Sequence, residues 1–433
     1  MTSVTFSGLG SGLDTASLVS QLVSVEKQPA TLLQSQQSNL SSQKGIVDSI
    51  ASSVSALGDL ADGMKLSSDV NFRTATTSDS HVTVAVSSSA VATTHAVRVE
   101  QLAKAQVVTS RPLTSAAAGV LGAGSVKLNG TSTVSWSSTD SLSQIASKIN
   151  DAKAGVSASV LFDGTSYHLV MSSQKTGTAS ATTFEDAGDG LDFSNPDNIR
   201  VKAKDCKIVL DGIEVTRPTN VIDDALAGVT ITAAKAQATD EPDTDVSVAF
   251  DGSAAQAKVQ KFVDGFNKIA SAISNQLTYT GTTKGANTLF GDSTLAQLQR
   301  SLQDIVTQKF GGKTLLDLGV SIDKTGVMSL DDTKFDAAMA ANPNVLSETF
   351  AAGGLSTAVS NLTEMYTRSG DGILTSKSTA LSHNKDDLQK QIDQINANAD
   401  SLQTRLEAQF NALEQIMSKF QSQASYVSKI LAA

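Results

Sequence analysis

The chain has 433 residues, room for about three domains at roughly 150 residues each. It carries 33 Lys and Arg against 43 Asp and Glu, a formal net charge of −10. That balance excludes a general nucleic-acid binder and a binder of anionic membranes, because both need a basic surface. Aromatic residues are only 4% of the chain, so its cores must be built from Ala, Val, Leu and Ile.

The N-terminus opens with Gly8, Gly10 and Gly12, which read as a flexible leader. Leu18, Leu22 and Val25 then take helical spacing up to Pro29, and Asp14 is placed to cap that short helix. Leu33, Leu40, Val47, Val54 and Ala61 follow at seven-residue intervals. Ile50, Leu57 and Met64 fill the second seam position of the later heptads, whereas Gln36 and Gln43 occupy it in the earlier ones. The first half of this seam is therefore weak.

From about 76 to 250 the pattern changes to period two, as at Val82, Val84 and Val86. Asn129-Gly130, Asp163-Gly164 and Asp211-Gly212 each separate two β-like runs, and Asx-Gly pairs favour tight hairpin turns. One short helix interrupts the strands, with Ser141 and Gln144 as a capping box ahead of Ile145 and Ile149. Residues 176–250 hold 14 acids and six bases, which makes this β-rich region the acidic part of the chain.

Helical spacing returns at 254–310, through Val259, Phe262, Phe266 and Ile269, then Leu295, Leu298 and Leu302. A β-like stretch at Val320, Ile322 and Val327 precedes a helix expected from Asp332 to about Phe350. Residues 373–433 contain neither Gly nor Pro, the two strongest helix breakers. Their apolar stripe runs through Leu388, Ile392, Ile395, Leu402, Leu406, Phe410, Leu413, Met417, Phe420, Val427 and Leu431. The double four-residue step at Leu402, Leu406 and Phe410 is a local eleven-residue repeat, which relaxes or reverses the supercoil there.

The fold class expected is α+β and multidomain: a helical, coiled-coil leg from the N- and C-terminal segments, with a β-rich head inserted between them. The expected boundaries are 1–45 for a flexible terminal-helix region and 46–75 plus 251–360 for the helical leg. The head takes 76–111 plus 201–250, with a second β-rich module inserted at 112–200, and 373–433 forms the C-terminal coil. Narrow, polar seams at both ends suit segments that order only when bundled with other chains. Leu33, Leu40, Val47 and Val54, with the C-terminal stripe, are the candidate contact residues.

Motifs for chemistry are missing. A dinucleotide loop needs a preceding strand and a third glycine three positions after Gly10, and position 13 is Leu. Asp186, Asp189, Asp192 and Asp197 lack the spacing of a calcium loop and read as a solvated acidic stretch. Cys206 is the single cysteine, so no disulfide can form within the chain, and it reads as buried and inert. His81, His95, His168 and His383 have no metal-ligand spacing, and Trp136 reads as a strand core residue. We expect no catalytic residues, no metal and no cofactor. No apolar run approaches the ~20 residues of a membrane span. The first basic residue is Lys27, so a secretory signal peptide is not expected.

An ordered series of motifs is familiar. Ser7 to Asp14 (SGLGSGLD) with Leu18, Val19, Leu22 and Val23 closely resembles the start of the bacterial flagellar filament-capping proteins, the FliD or hook-associated protein two family. The resemblance continues at Asp211-Gly212 with Arg217, Asn220, Asp223 and Gly228-Val229-Thr230, and at Phe262-Val263-Asp264 with Phe266-Asn267. It extends through Leu289 to Thr294 (LFGDST, with Gly291 and Asp292), Leu318-Gly319-Val320, Gly326 to Asp331 and Gly372-Ile373-Leu374. Gln409-Phe410 and Ser425-Tyr426-Val427 resemble its C-terminal coil. Asn129 to Gly177, with Ile149-Asn150, Gly155-Val156 and Leu169-Val170, is similar to a repeat that flagellin-related proteins insert in their heads.

The resemblance implies a homo-oligomeric cap at the extracellular tip of the flagellum, exported through the flagellar type III apparatus without a cleaved signal peptide. It implies flagellin and the hook–filament junction proteins as partners, and a cytoplasmic chaperone of the FliT type on the C-terminal helix. The terminal helices would contact the growing filament, and the head would form the outer plate. Another axial flagellar protein, of the flagellin or junction type, and a surface adhesin binding host mucin or matrix through the acidic head remain as alternatives. Nucleic acid and membrane insertion are not expected.

Overall fold

The structure, a computed structural model, describes residues 14–277, 289–351 and 353–431. The chain divides into two compact units, one of residues Asn71–Ala255 and one drawn from both chain ends. Helix α1 (Thr15–Asp62) opens the described chain, and the Asp14 carboxylate accepts the Ser17 N–H at 3.0 Å as its cap. The helix does not stop at Pro29. Proline removes the hydrogen bond to the Val25 carbonyl, but Pro29 and Val25 are both exposed, so water can satisfy that carbonyl. Burial of Val23 and Ala30 on another face of the helix carries it through.

The 71–255 unit is built from β1 (Arg73–Thr77), β2 (Val82–Val86), β3 (Thr94–Gln101), β4 (Val107–Thr109), β5 (Gly124–Leu128), β6 (Ser132–Trp136), α2 (Leu142–Asp151), β7 (Val156–Phe162) and β8 (Tyr167–Ser173). It continues with β9 (Phe184–Gly188), β10 (Ile199–Val201), β11 (Cys206–Leu210), β12 (Ile213–Arg217), β13 (Val221–Leu226), β14 (Val229–Ala233) and β15 (Thr244–Phe250). Its residues fill two hydrophobic cores. Sheets β1-β15-β3-β11-β12 and β13-β14-β2 share the first, through Val97, Val99, Ile208, Ile222, Ile231 and Val246. Sheets β10-β4-β8-β7 and β6-β5-β9 share the second with α2, through Val108, Leu128, Trp136, Ile145, Ile149 and Leu169.

Several motif residues are explained by this unit. Asp211 and Gly212 both take positive φ, 50° and 83°, in the two-residue turn between β11 and β12. Ser141 and Gln144 form the capping box of α2. Asn150 donates to the Ala158 carbonyl at 2.9 Å and accepts the Ala158 N–H at 2.7 Å, so its amide pairs with the edge strand β7 as a neighbouring strand would. Gly177 has φ +95°, and a Cβ there would lie 2.6 Å from the Pro218 Cβ. On either side, Thr176 donates to the Pro218 carbonyl at 2.6 Å, and Thr178 donates to Asp205 from its N–H and its hydroxyl at 2.7 and 2.5 Å. This loop clasps the two-core unit together.

The other unit adds α3 (Gly252–Leu277), α4 (Ser293–Thr307), the hairpin β16 (Val320–Ile322) and β17 (Met328–Leu330), α5 (Asp332–Ala341), α6 (Val345–Phe350), α7 (Leu355–Thr367) and α8 (Ile373–Leu431). The helix expected across 332–350 is two helices, because Pro343 forces Asn342 before it into extended backbone, φ −147° and ψ 99°. Phe262 and Phe350 meet edge to face at 5.6 Å. Asn267 brackets Met328, donating to its carbonyl and accepting its N–H, both at 2.7 Å, and so holds the hairpin on α3. Gly319 takes φ +78°, and a Cβ there would sit 2.8 Å from the Asp331 carbonyl oxygen.

Helices α1 and α7 pack tightly at Gly58, where a Cβ would lie 2.5 Å from the Thr363 hydroxyl. That hydroxyl is itself buried and bonded to the Ser360 carbonyl at 2.9 Å, so it cannot simply rotate away. Gly58→Val is therefore expected to destabilise this unit by about 1–3 kcal/mol in urea unfolding, with partial recovery when Thr363→Ala is added.

Acid should act on the β unit. Asp211 is held below the usual carboxylate value of 3.8 by the His95 ring and the Ala96 N–H. Asp163 is lowered by the Ser166 and Thr165 N–H groups and then by His168. Asp205 is lowered by the hydroxyl and N–H of Thr178. A carboxyl depressed on folding stabilises fully above its unfolded pKa and loses that contribution as pH falls through its folded pKa. Stability of this unit, followed by thermal melts, should thus hold between about pH 7 and 5 and decline below about pH 4.

Candidate functional site: the terminal helical hairpin

Both chain ends contribute to one element. α1 and α8 lie antiparallel, and three polar contacts fix their register. Lys27 pairs with Asp400 at 3.0 Å, Gln37 donates to Gln389 at 2.9 Å, and Ser378 donates to Asp48 at 2.5 Å. Val19 and Val23 of α1 pack on Ala399, Leu406 and Phe410 of α8. These contacts join residues more than 300 positions apart, so the hairpin is built from the two ends of the chain.

The seam is thin. Of the candidate contact residues, Val47 and Val54 are fully buried where α1 enters the helical unit, while Leu33 and Leu40 are half-buried. On α8, Ile392 is buried, and Leu388, Ile395, Leu402, Leu406, Phe410 and Met417 are half-buried. Leu413, Phe420 and Val427 are exposed. The side chain of Leu431 and the residues Gly8, Gly10 and Gly12 lie outside the described residues.

Where Gln36 and Gln43 take seam positions, the helices leave a groove of about 480 Å3 between them. Leu40 and Leu388 line it together with the amides of Gln36, Asn39, Gln43, Asn384 and Gln391. Gln37 reaches from α1 to the Lys385 carbonyl at 3.3 Å as well as to Gln389. Amide contacts of this kind exchange readily with water and contribute little net stability each, about 1 kcal/mol or less. The exposed Lys27–Asp400 pair adds a similar or smaller amount.

At the root of the hairpin, the Gly-Asp-Ser motif has a structural role. Gly291 takes φ +78°. Asp292 then caps α4, accepting the N–H groups of Thr294 and Leu295 at 3.0 and 3.2 Å. The same carboxylate pairs with Lys377 on the first turns of α8, both side chains being mostly buried. One carboxylate thus fixes the start of α4 and the start of the long C-terminal helix.

The stripe that the sequence reading ended at Val25 continues along α1 past Pro29 to Leu32. Leu18, Leu22, Val25 and Leu32 face away from α8 and are 41% to 63% exposed. The spacing of the first three was legible, and Leu32 lies beyond Pro29, where the short helix was expected to end.

Among the described residues no cluster of three or more His, Cys, Asp or Glu can hold a metal, and no helix is long and apolar enough to cross a membrane. Asp189 is engaged by Arg111 and by the Gly122 N–H, and Asp186 by the Ser194 N–H. Cys206 is fully buried in β11, and burial pushes its thiol pKa up.

Two substitutions separate the roles of Asp292. Asp292→Asn keeps a good cap but loses the charge opposite Lys377, whereas Asp292→Ala loses both. In urea unfolding, the alanine variant should lose roughly 2–4 kcal/mol and the asparagine variant about half of that.

Comparison with known proteins agrees with this architecture. Residues 203–422 match the C-terminal region of flagellar hook-associated protein 2, residues 11–106 its N-terminal region, and residues 125–175 the flagellin hook IN motif. The chain is 26% identical to flagellar hook-associated protein 2 of Escherichia coli O157:H7, across 99% of this chain and 98% of that one. It is 24% identical to the A-type flagellar hook-associated protein 2 of Pseudomonas aeruginosa, across 100% and 98%. The solved D1-D2-D3 domains of the flagellar cap protein FliD from Escherichia coli are similar, with a TM-score of 0.64 at 25% identity, over 78% of this chain and 99% of that one. With more than half of its length in the C-terminal match alone, the chain belongs to the flagellar hook-associated protein 2, or FliD, family.

Proposed function

We propose that this chain is the cap of the flagellar filament, a homo-oligomer at its tip that retains exported flagellin and promotes its folding and insertion as the filament grows. Membership of the family supports this reading, and so does the similarity to a solved flagellar cap protein. The observation that carries the mechanism is the hairpin of α1 and α8, which is long, thin-seamed and amide-lined. Helices held by many small contacts can release and remake them one at a time, as a cap must when each new subunit passes beneath it.

In this reading, Leu33, Leu40, Leu388, Ile392, Ile395, Leu402, Leu406, Phe410, Leu413, Met417, Phe420, Val427 and Leu431 form the leg that meets neighbouring copies and the filament. Val47 and Val54 anchor it. The helical part of the chain, 46–75 with 251–360, carries that leg. The two-core β unit is the plate, with 112–200 as its inserted module, and the clasp at Gly177 keeps it rigid. Flagellin and the hook–filament junction proteins are the assembly partners. Export runs through the flagellar type III apparatus without a cleaved signal peptide, and a chaperone of the FliT type shields the C-terminal helix beforehand. The chemistry of the chain is steric, with no cofactor.

Deleting the gene tests this. Bare hooks together with abundant unpolymerised flagellin in the medium are the expected result, because export continues while tip assembly fails. Normal filaments and normal swimming in the deletion strain overturn the cap reading.

A further inference from the structure

The cations of the β unit fall into two sets. Arg98, Arg111, Lys127, Lys148, Lys207 and Arg217 are ion-paired. Lys104, Lys175, Lys202 and Lys204 form no ion pair among the described residues, and all four are exposed. Their place in the fold is specific. Ala103 belongs to the first core and Val108 to the second, while Ile199 packs on the second and Cys206 lies in the first. Residues 103–108 and 199–206 are therefore the two connectors between the cores. Lys104 and Lys204 stand on them directly opposite each other, each donating its N–H to the other's carbonyl, at 2.9 and 3.0 Å. Residues opposed in this way carry their Cβ atoms on one face, about 5 Å apart. Lys202 lies two positions before Lys204, the spacing that returns to the same face of an extended strand. Lys175 lies two positions before Gly177, whose N–H reaches the Lys104 carbonyl at 3.3 Å.

Like charges directly opposite each other destabilise a strand pair. Here the backbone is pinned so that they stay opposed. Asn220 brackets Ala103, accepting its N–H at 2.6 Å and donating to its carbonyl at 3.2 Å. Asp205, the acid next to Lys204, gives its carboxylate to the N–H and hydroxyl of Thr178. Two ammonium groups are thus fixed at their roots, held near each other and left without a counter-charge. We propose that Lys104 and Lys204, with Lys202 beside them, clamp a tetrahedral oxyanion, a sulfate or phosphate group, free or as an ester on a polymer. Each ammonium offers three donors and a point charge, with no planar fork. Donors of that kind converging from two strands suit a compact dianion with oxygens on every side better than a flat carboxylate. The bound anion replaces repulsion between the connectors with attraction to a common partner, so it braces one core of the unit against the other. The site goes beyond capping and stands on the β unit alone.

Thermal melts and isothermal titration calorimetry of the full-length chain test this, with sulfate compared against chloride at equal ionic strength. Sulfate stabilises folded proteins in general by exclusion from their surface, so the readout is the difference between chains. With a dissociation constant of about 1 mM, about 10 mM sulfate should raise the wild-type midpoint by about 3 °C more than that of Lys104→Gln or Lys204→Gln. Each of these variants should bind sulfate about tenfold more weakly than wild type. In chloride alone they should melt no lower than wild type, because removing one charge lifts the repulsion. Lys235→Gln removes another exposed lysine of the β unit that has no ion pair among the described residues, and should keep the wild-type response. Two probes separate the sources of the anion. Saturation by inorganic sulfate or phosphate, with no gain from dextran sulfate, identifies the free ion. Dextran sulfate that binds about a hundredfold tighter, and loses that gain in Lys104→Gln, identifies an ester on a polymer. Lys104→Gln and Lys204→Gln chains that respond like wild type, a response lost equally in Lys235→Gln, or no binding of any of these anions each overturns the inference.

Discussion

The structure depends on one long-range constraint, the antiparallel register of α1 with α8. Isolated helices of this length and polarity gain little from propensity alone, since most helical stability in proteins comes from a packed face. Here the packed face is narrow. Toward the chain ends it is no more than Val19 and Val23 against Ala399, Leu406 and Phe410. At the root it thickens into the buried Ile50, Val54, Leu57 and Ala61. Local stability must therefore grade along the hairpin, lowest at its free end and highest where α1 meets α7.

The β unit follows the opposite logic. Its first core has no aromatic side chain and the second has Trp136 and Phe193, and specific polar contacts tie the surrounding loops down. The Asn150 amide occupies the outer backbone groups of Ala158, which removes part of an edge that another strand could pair with. The Thr176–Thr178 loop seats a glycine where no side chain fits, and uses Asp205 and Pro218 as fixed partners. Such contacts are all or none. Several carboxylates of this unit, among them Asp211 and Asp163, accept turn or strand N–H groups and pair with histidines, where they hold loops shut. The negative charge concentrated here thus has an internal use, whether or not it also meets an outside partner.

Much of this was legible in the sequence, and the gaps have definite physical causes. The seam from Val47 to Ala61 was readable because local spacing and final burial coincide there. The Asp211-Gly212 turn and the Ser141 capping box were readable because each is a property of a few adjacent residues. Pro29 misled because the cost of a mid-helix proline is largest where the orphaned carbonyl finds no partner, and in this helix that carbonyl can be hydrated. Pro343 misled in the other direction: a pattern running to Phe350 hid a break that the residue before proline enforces. No local signal announces that Asp292 will meet Lys377, or Lys27 will meet Asp400, because those contacts depend on how the intervening chain folds.

The second stripe on α1 shows the limit of reading periodicity as burial. Leu18, Leu22 and Val25 were recognised as a helical face, and the structure leaves that face open while burying Val19 and Val23 beside it. A helix with apolar residues on two faces has one face more than its own chain fills. In an enzyme that surplus is a liability, because exposed apolar stripes invite non-specific association. In a part whose work is assembly it is the means of association, and its narrowness limits the strength of each contact. The terminal hairpin combines both features. Its filled seam keeps the two chain ends together, and its open seam leaves them incomplete until another helix arrives.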